Sequence, residues 1–252
     1  MAEERLDKIL SGQNIATRTE SKKLALKGML AVNGKITKRS DIKVDPEKDE
    51  ILVKGVKLIY KKHLYIMMNK PSGVLSASKD KNTETVIDLL PKELRREGMF
   101  PAGRLDKDTT GFVLLTDDGE LAHKMLSPKK HVYKLYLAGC DKILNNDDVM
   151  TFAKGITSGE DVFMPAEMKI ISDNFALVEI CEGKFHQIKR MFHAIGADIT
   201  SLKRLRIGSV FLDDSLGEGE FRELTSDEII GITDSSFKGI NSDTLPPAFL
   251  SI

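Results

Sequence analysis

Hydrophobic positions recur along this chain with two different periods, and the switches between them mark its elements. Leu64–Met68 and Phe112–Thr116 are almost continuously apolar, and each stops at a turn signal, Asn69-Lys70-Pro71 or Asp117-Asp118-Gly119. Short apolar runs bounded in this way predict buried strands. Val132–Ala138 alternates, and Asp173-Asn174 separates two more strand-like runs, Met168–Ile171 and Ala176–Cys181. Helical spacing takes over at Ile188, Met191, Phe192 and Ile195, which follow i, i+3, i+4, i+7. Shorter helices are expected at Arg5–Leu10, Thr85–Leu90 and Glu120–Leu126, and a further one where Thr17 and Glu20 have capping-box spacing. Helix and strand mix without a regular βαβ rhythm. That predicts an α+β fold with a mixed, largely antiparallel sheet flanked by helices.

The pattern divides into three regions. Residues 1–60 read as a small module, with Asn33-Gly34 as a tight turn, a polar loop at Asp45–Asp49 and short strands at Ile51–Val53 and Val56–Ile59. The lysine-rich stretch Lys54–Lys62 is expected to bridge to the next domain. Residues 61–232 form the second domain. Residues 233–252 are polar and proline-interrupted, and a poorly ordered tail is expected there.

Charge changes this picture more than composition does. The 252 residues carry 38 basic and 38 acidic side chains, for a net charge of zero. Residues 1–60 nevertheless hold a net +4, residues 61–212 a net +3, and residues 213–252 a net −7. Local fields govern anion binding, so a neutral total does not exclude nucleic acid. No apolar run reaches the roughly 18 residues of a membrane helix, and the charged N-terminus lacks the apolar stretch of a signal peptide. Cys140 and Cys181 are far apart and form neither a disulfide framework nor a zinc knuckle. A cytoplasmic protein is the expectation.

Candidate chemistry concentrates in two stretches. No phosphate-binding glycine loop, zinc-protease motif or nucleophile elbow occurs. In Gly103-Arg-Leu-Asp-Lys-Asp-Thr-Thr-Gly111, by contrast, Arg104, Asp106, Lys107 and Asp108 crowd a turn-rich loop directly before a buried strand. A cation beside a carboxylate favours its ionised form, which can act as nucleophile or base; an ordinary surface Arg–Asp turn has the same composition. In Glu182–Gly196, His186, Lys189, Arg190 and His193 lie opposite the apolar helix face, with Lys189 nearest the boundary. Between Lys184 and Arg206 there are six basic residues and one acid, a composition suited to phosphate contacts or to a solvated face. Lys22, Lys23 and Lys27 fall on or near one face of the helix after Thr17.

The block GRLDKDTTGFVLLTDDG resembles the catalytic signature of the RsuA-like pseudouridine synthases. Four further blocks follow that family's order: Asn69–Val74, the K-x-Y strand Lys134-Leu135-Tyr136, EGKFHQIKRMF, and Leu205-Arg206-Ile207-Gly208. RLDKIL and AVNGKI are similar to the S4 RNA-binding domain that precedes the catalytic domain in this branch. The resemblance covers about residues 3 to 232, with Phe112 where the branch usually has Leu and Asp117 where it often has Asn. It implies an S4-like module followed by a pseudouridine synthase domain. Asp106 would be the essential aspartate, Tyr136 would stack on the flipped uracil, and Lys189 would pair with Asp106. Arg104 would hold the Asp106 loop and help displace the base, and Leu205 and Ile207 would line the uracil pocket. Lys22, Lys23, Lys27, Arg190, Lys203 and Arg206 would contact RNA. The implied reaction needs no cofactor or metal, and three routes suit such a carboxylate: attack on the sugar, attack on the base, or removal of a sugar proton. Small-subunit ribosomal RNA is the expected partner of a monomer. Large-subunit RNA or tRNA, a non-catalytic ribosome-assembly role, and a two-carboxylate glycoside hydrolase using Asp108 are the alternatives.

Overall fold

In the computed structural model, which describes residues 3–236 and 239–240, the chain divides into two units. One spans Met1–Leu64 together with Leu90–Met99, the other Tyr65–Leu89 together with Phe100–Ile252.

The capping box of the small unit forms as its sequence predicts: Thr17 accepts from the Glu20 backbone, Glu20 caps Thr17 in return, and a helix runs over Arg18–Leu26. It packs against a helix over Leu6–Gly12, and Leu6, Ile9, Leu10, Ala25, Leu30 and Ile51 close a small core. Asn33 and Gly34 both take the left-handed conformation that a tight two-residue hairpin demands. The hairpin's strands, Leu30–Val32 and Lys35–Ile36, join Ile51–Val53 and Val56–Lys57 in one antiparallel sheet. Lys54-Gly55 is therefore a hairpin turn, and the stretch expected to bridge two domains begins inside the sheet. The boundary expected at residue 60 also shifts, because Leu90–Met99 belongs to this unit. Arg96 donates to the Lys61 carbonyl at 2.8 Å and to Gln13 Oε1 at 2.7 Å, which ties that segment down.

The large unit is built on a nine-stranded mixed sheet. Its strands are β1 (Tyr65–Lys70), β2 (Phe100–Ala102), β3 (Thr110–Thr116), β4 (Lys134–Cys140), β7 (Glu167–Ser172), β8 (Phe175–Ile180), β9 (Ile199–Ile207), β10 (Val210–Phe211) and β11 (Phe221–Glu223). A separate hairpin comprises β5 (Ile156–Ser158) and β6 (Asp161–Phe163). The sheet order is β7-β8-β4-β9-β3-β1-β11, with β10 on β9 and β2 on β3. Every pairing is antiparallel except β9 with β3 at the centre. There Gly111 lies opposite Arg204, and a Cβ on Gly111 would fall 2.3 Å from the Arg204 carbonyl oxygen, so only glycine allows the strands to approach. Helices α1 (Gly119–Leu126), α2 (Asn146–Lys154), α3 (Gln187–Ala194) and α4 (Ser226–Gly231) complete the unit. Two apolar clusters flank the sheet. One gathers Met67, Phe112, Leu114, Leu135, Leu205 and Ile207, the other Phe152, Met168, Val178, Ile188, Met191 and Phe192.

Two expectations fail here. Thr85–Leu90 makes turns rather than a helix: Thr85 and Asp88 cap one another, but Val86 bonds back to Leu75 and Pro91 stops the segment. The stretch after Ile232 is not all loose tail. Gly239 N donates to Glu179 Oε2 at 2.8 Å, Ile240 N donates to Glu167 Oε1 at 3.0 Å, and Ile240 is buried. Residues 241–252 lie outside the described residues.

Candidate active site

Asp106 sits in the loop that feeds β3, and that loop is fastened from below. Buried Lys70, at the end of β1, donates to the carbonyls of Pro71, Lys107 and Thr109 at 2.9–3.0 Å. Ser76 Oγ accepts from Leu105 N at 3.1 Å, and Gly73 N donates to the Lys107 carbonyl at 2.8 Å. Burial lowers the Lys70 ammonium to about 8, against the pull of Asp108 and Asp106. Arg104, expected to hold this loop, has no hydrogen bond or ion pair to a described residue; its side chain is exposed at the cleft rim. The lysine before the proline does the fastening because its long stem can cross under the loop and satisfy three carbonyls at once.

Helix α3 brings the expected cation. Lys189 Nζ lies 3.3 Å from Asp106 Oδ2 and binds both oxygens of Asp108, at 2.6 and 2.8 Å. It thus bridges two carboxylates rather than pairing with Asp106 alone. Burial pulls the Lys189 pKa down, but the Asp108 hydrogen bond and both carboxylate charges outweigh it and leave the ammonium above the ordinary lysine range. The same hydrogen bond holds the Asp108 carboxyl below its usual range. His186 caps α3 in the left-handed conformation, φ 50°, with Nε2 3.5 Å from Asp106 Oδ1.

These groups open onto a cleft with about 430 Å³ of unfilled space, lined by Arg104, Leu105, Asp106, Tyr136, Ile188 and Lys189 among others. Tyr136 projects from β4 into the cleft with only 7% of its surface exposed. Its cross-strand partner is Arg204, whose Nη1 donates to the Tyr136 hydroxyl at 3.5 Å and whose Nε donates to the Phe112 carbonyl at 2.7 Å. Arg204 Nη2 is buried without a hydrogen-bond partner. Lys134, two residues before Tyr136, donates to the Val132 carbonyl, and burial and the Arg204 charge lower it to about 8. Neither buried cation pairs with a carboxylate among the described residues, so positive charge lies uncompensated beside Tyr136.

Several expected site residues lie elsewhere. Leu205 and Ile207 are fully buried in the Met67–Phe112 cluster and do not line the cleft. The β4–β9 ladder shifts register between Leu135 and Tyr136, and Leu105, Ile180, Ile188 and Leu202 supply the apolar lining of the cleft. Arg206 is fully buried and bonded to Glu179 and to the Gly208 carbonyl, so it meets no phosphate. Arg190 is half-buried and committed to Asp161 and the Ser158 carbonyl, over the Phe163 ring. Lys203 is half-buried on β9. Lys22, Lys23 and Lys27 are exposed but divide between two grooves of the small unit: Lys22 with Arg5, Arg18, Lys38 and Arg39, and Lys23 with Lys27 and Lys54 beside Ile15 and Met29. No group of His, Cys, Asp and Glu among the described residues could hold a metal ion, and no described helix is long and apolar enough to cross a membrane.

A loop aspartate paired with a lysine thus shares a cleft beside a mixed sheet with a buried tyrosine. The profile of the RNA pseudouridylate synthase family matches residues 64–194, and the chain belongs to that family: it is a pseudouridine synthase, an isomerase. An RNA pseudouridine synthase of Bacillus subtilis, YtzG, is 43% identical over 230 residues, covering 89% of this chain and 96% of the relative. Ribosomal small subunit pseudouridine synthase A of Escherichia coli is 36% identical over 231 residues, covering 90% and 99%. A crystal structure of a pseudouridylate synthase superposes with a TM-score of 0.65 at 36% identity, over 91% of this chain and 99% of that one.

Proposed function

We propose that this chain isomerises a uridine of small-subunit ribosomal RNA, acting as a monomer in the cytoplasm, with Asp106 as the reacting carboxylate. The observation that carries the reading is Asp106 held between Lys189 and His186 at the mouth of the Tyr136 cleft. A base within RNA structure must be extruded to reach such a cleft, at a cost of a few kcal/mol. Stacking on the Tyr136 ring returns roughly 1–3 kcal/mol. Arg104, free at the rim, is placed to fill the space the base leaves. The C1′–N1 glycosidic bond then breaks, the uracil turns, and a C1′–C5 bond forms; the C5 hydrogen leaves to solvent and N1 takes up a proton, so the overall composition is unchanged. Lys134 and Arg204, buried behind the cleft near Tyr136, favour negative charge on a uracil detached against that ring. Residues 1–60 act as an S4-like RNA-binding domain, using Lys22, Lys23 and Lys27 together with Arg5, Arg18, Lys38 and Arg39.

The support for small-subunit RNA is the name of the Escherichia coli relative, which matches along nearly its whole length. Asp108 speaks against a two-carboxylate glycosidase: a carboxyl held ionised by Lys189 is no general acid at neutral pH. Pseudouridine mapping of total RNA from a strain lacking the gene tests the substrate. Loss of one site in small-subunit RNA supports the reading; loss in large-subunit RNA or tRNA moves the substrate, and no loss removes it. In the purified protein, Asp106→Asn should leave no more than a few per cent of tritium release from 5-tritiated uridine in RNA.

A further inference from the structure

Phe185 is the only aromatic among the largely exposed large apolar side chains of the described residues, with 75% of its surface open. It stands one ring away from the reaction site. Its ring stacks on His186 with centroids 3.8 Å apart and planes 19° from parallel, and His186 Nε2 is 3.5 Å from Asp106 Oδ1. His186 takes a left-handed backbone, φ 50°, a conformation uncommon outside glycine. Two flat rings therefore form a short stack that begins at the catalytic carboxylate and ends in solvent.

The geometry points to Phe185 as a stacking platform for the nucleobase adjacent to the extruded uridine. The uridine itself must enter the cleft to reach Asp106 and Tyr136, so a ring displaced outward by one stacking distance meets the neighbouring nucleotide. The exposed rim cation Arg104, which has no carboxylate partner among the described residues, suits an anionic polymer rather than an apolar protein segment. Every base has a π-face, so the contact would position the strand while tolerating different neighbours.

The proposal rests on the reading that Asp106 acts on a uridine in RNA, and its test separates the two. Wild-type protein, Phe185→Tyr, Phe185→Leu and Phe185→Ala are compared on in-vitro transcribed small-subunit ribosomal RNA carrying 5-tritiated uridine. Loss of stacking should raise KM about 5- to 100-fold in the Leu and Ala variants, with a much smaller change in kcat, while Tyr stays near wild type. A single-stranded oligonucleotide with 2-aminopurine next to its one uridine should lose fluorescence on binding wild type and Phe185→Tyr, but not Phe185→Leu. A Leu variant with wild-type KM and wild-type quenching overturns the proposal. So does a loss confined to kcat, which would make Phe185 a support for the Asp106 loop. Absence of any tritium release from the wild-type protein would strike the parent reading instead.

Discussion

Arg204 and Arg206 lie two positions apart on β9, and both are almost wholly buried, at 3% and 0% exposure. Their partners differ. Arg206 bonds to Glu179, whose other carboxylate oxygen accepts from Gly239, so the charge is neutralised and fastens the chain after α4. Among the described residues Arg204 reaches only a backbone carbonyl and a tyrosine hydroxyl, with Lys134 as a second buried cation nearby. Removing an ion from water costs several kcal/mol even after relaxation, and a good partner repays much of that. One arginine is therefore scaffold. The other is a cost retained beside the cleft residue Tyr136, the kind of local violation that folds keep at functional sites. Burial and basic character alone do not distinguish these roles; the partner does.

The comparison breaks most sharply if Arg204 behaves like Arg206. Arg204→Met should lower turnover by about 100-fold, the scale of removing one preorganised donor from a reacting site. Thermal stability should hold or rise, because an unneutralised buried charge has gone. Turnover and melting temperature measured on the same preparation decide it: a parallel fall of both would make Arg204 structural.

Glu179→Gln should show the reverse. It neutralises the carboxylate bonded to Arg206, and breaking a buried pair costs about 3–5 kcal/mol. At roughly 2–4 °C per kcal/mol for a chain of this size, the melting temperature should drop by about 10 °C. Turnover by the folded fraction should stay near wild type. The double variant Glu179→Leu with Arg206→Met should recover most of the loss, since no charge is then left unpaired. Truncation from about Ser235 should also cost stability, because it removes Gly239 and Ile240 together.

Lys189→Ala sits between the two regions, since Lys189 is partly exposed yet holds two carboxylates. Turnover should collapse while the salt dependence of RNA binding stays close to wild type. Were Lys189 neutralising an RNA phosphate, its removal would instead flatten that dependence by about 0.7. Arg190→Ala, which breaks the Asp161 pair, should likewise leave the salt slope unchanged.

The sequence made the loop before β3, the strand β4 and the amphipathic α3 legible as elements because each is local (a turn-rich loop before an apolar run, an alternation, a 3.6-residue period), while the roles expected of their residues came from the family resemblance. It did not show which basic residues are buried. Lys203, Arg204 and Arg206 look alike in composition, and their fates depend on Glu179, Phe112 and Tyr136, all remote in the chain. Lys70 was hidden for the same reason, since its three carbonyl partners include residues nearly forty positions away. The uracil-lining role of Leu205 and Ile207 came from the resemblance alone, and burial of both in the Met67–Phe112 cluster is not readable from composition. Leu90–Met99 joined the small unit through Arg96 hydrogen bonds that span up to 83 residues.

The smallest effect concerns the two buried lysines. Lys70 and Lys134 both have pKa values of about 8 in the folded protein, against about 10.4 in an unfolded chain. Between those values the unfolded state binds more protons than the folded one, so these lysines make stability rise with pH rather than fall. The gain begins near pH 8 and levels off above about pH 10.4. Each lysine can contribute up to about 1.4 kcal/mol per pH unit inside that window. Lys134→Met removes one of the two, and urea unfolding at several pH values should show roughly half the wild-type upward slope between about pH 8.5 and 10. An unchanged slope would mean that Lys134 keeps its proton when buried. The unneutralised charge beside Tyr136 would then persist at high pH, and activity there should not decline with loss of that proton.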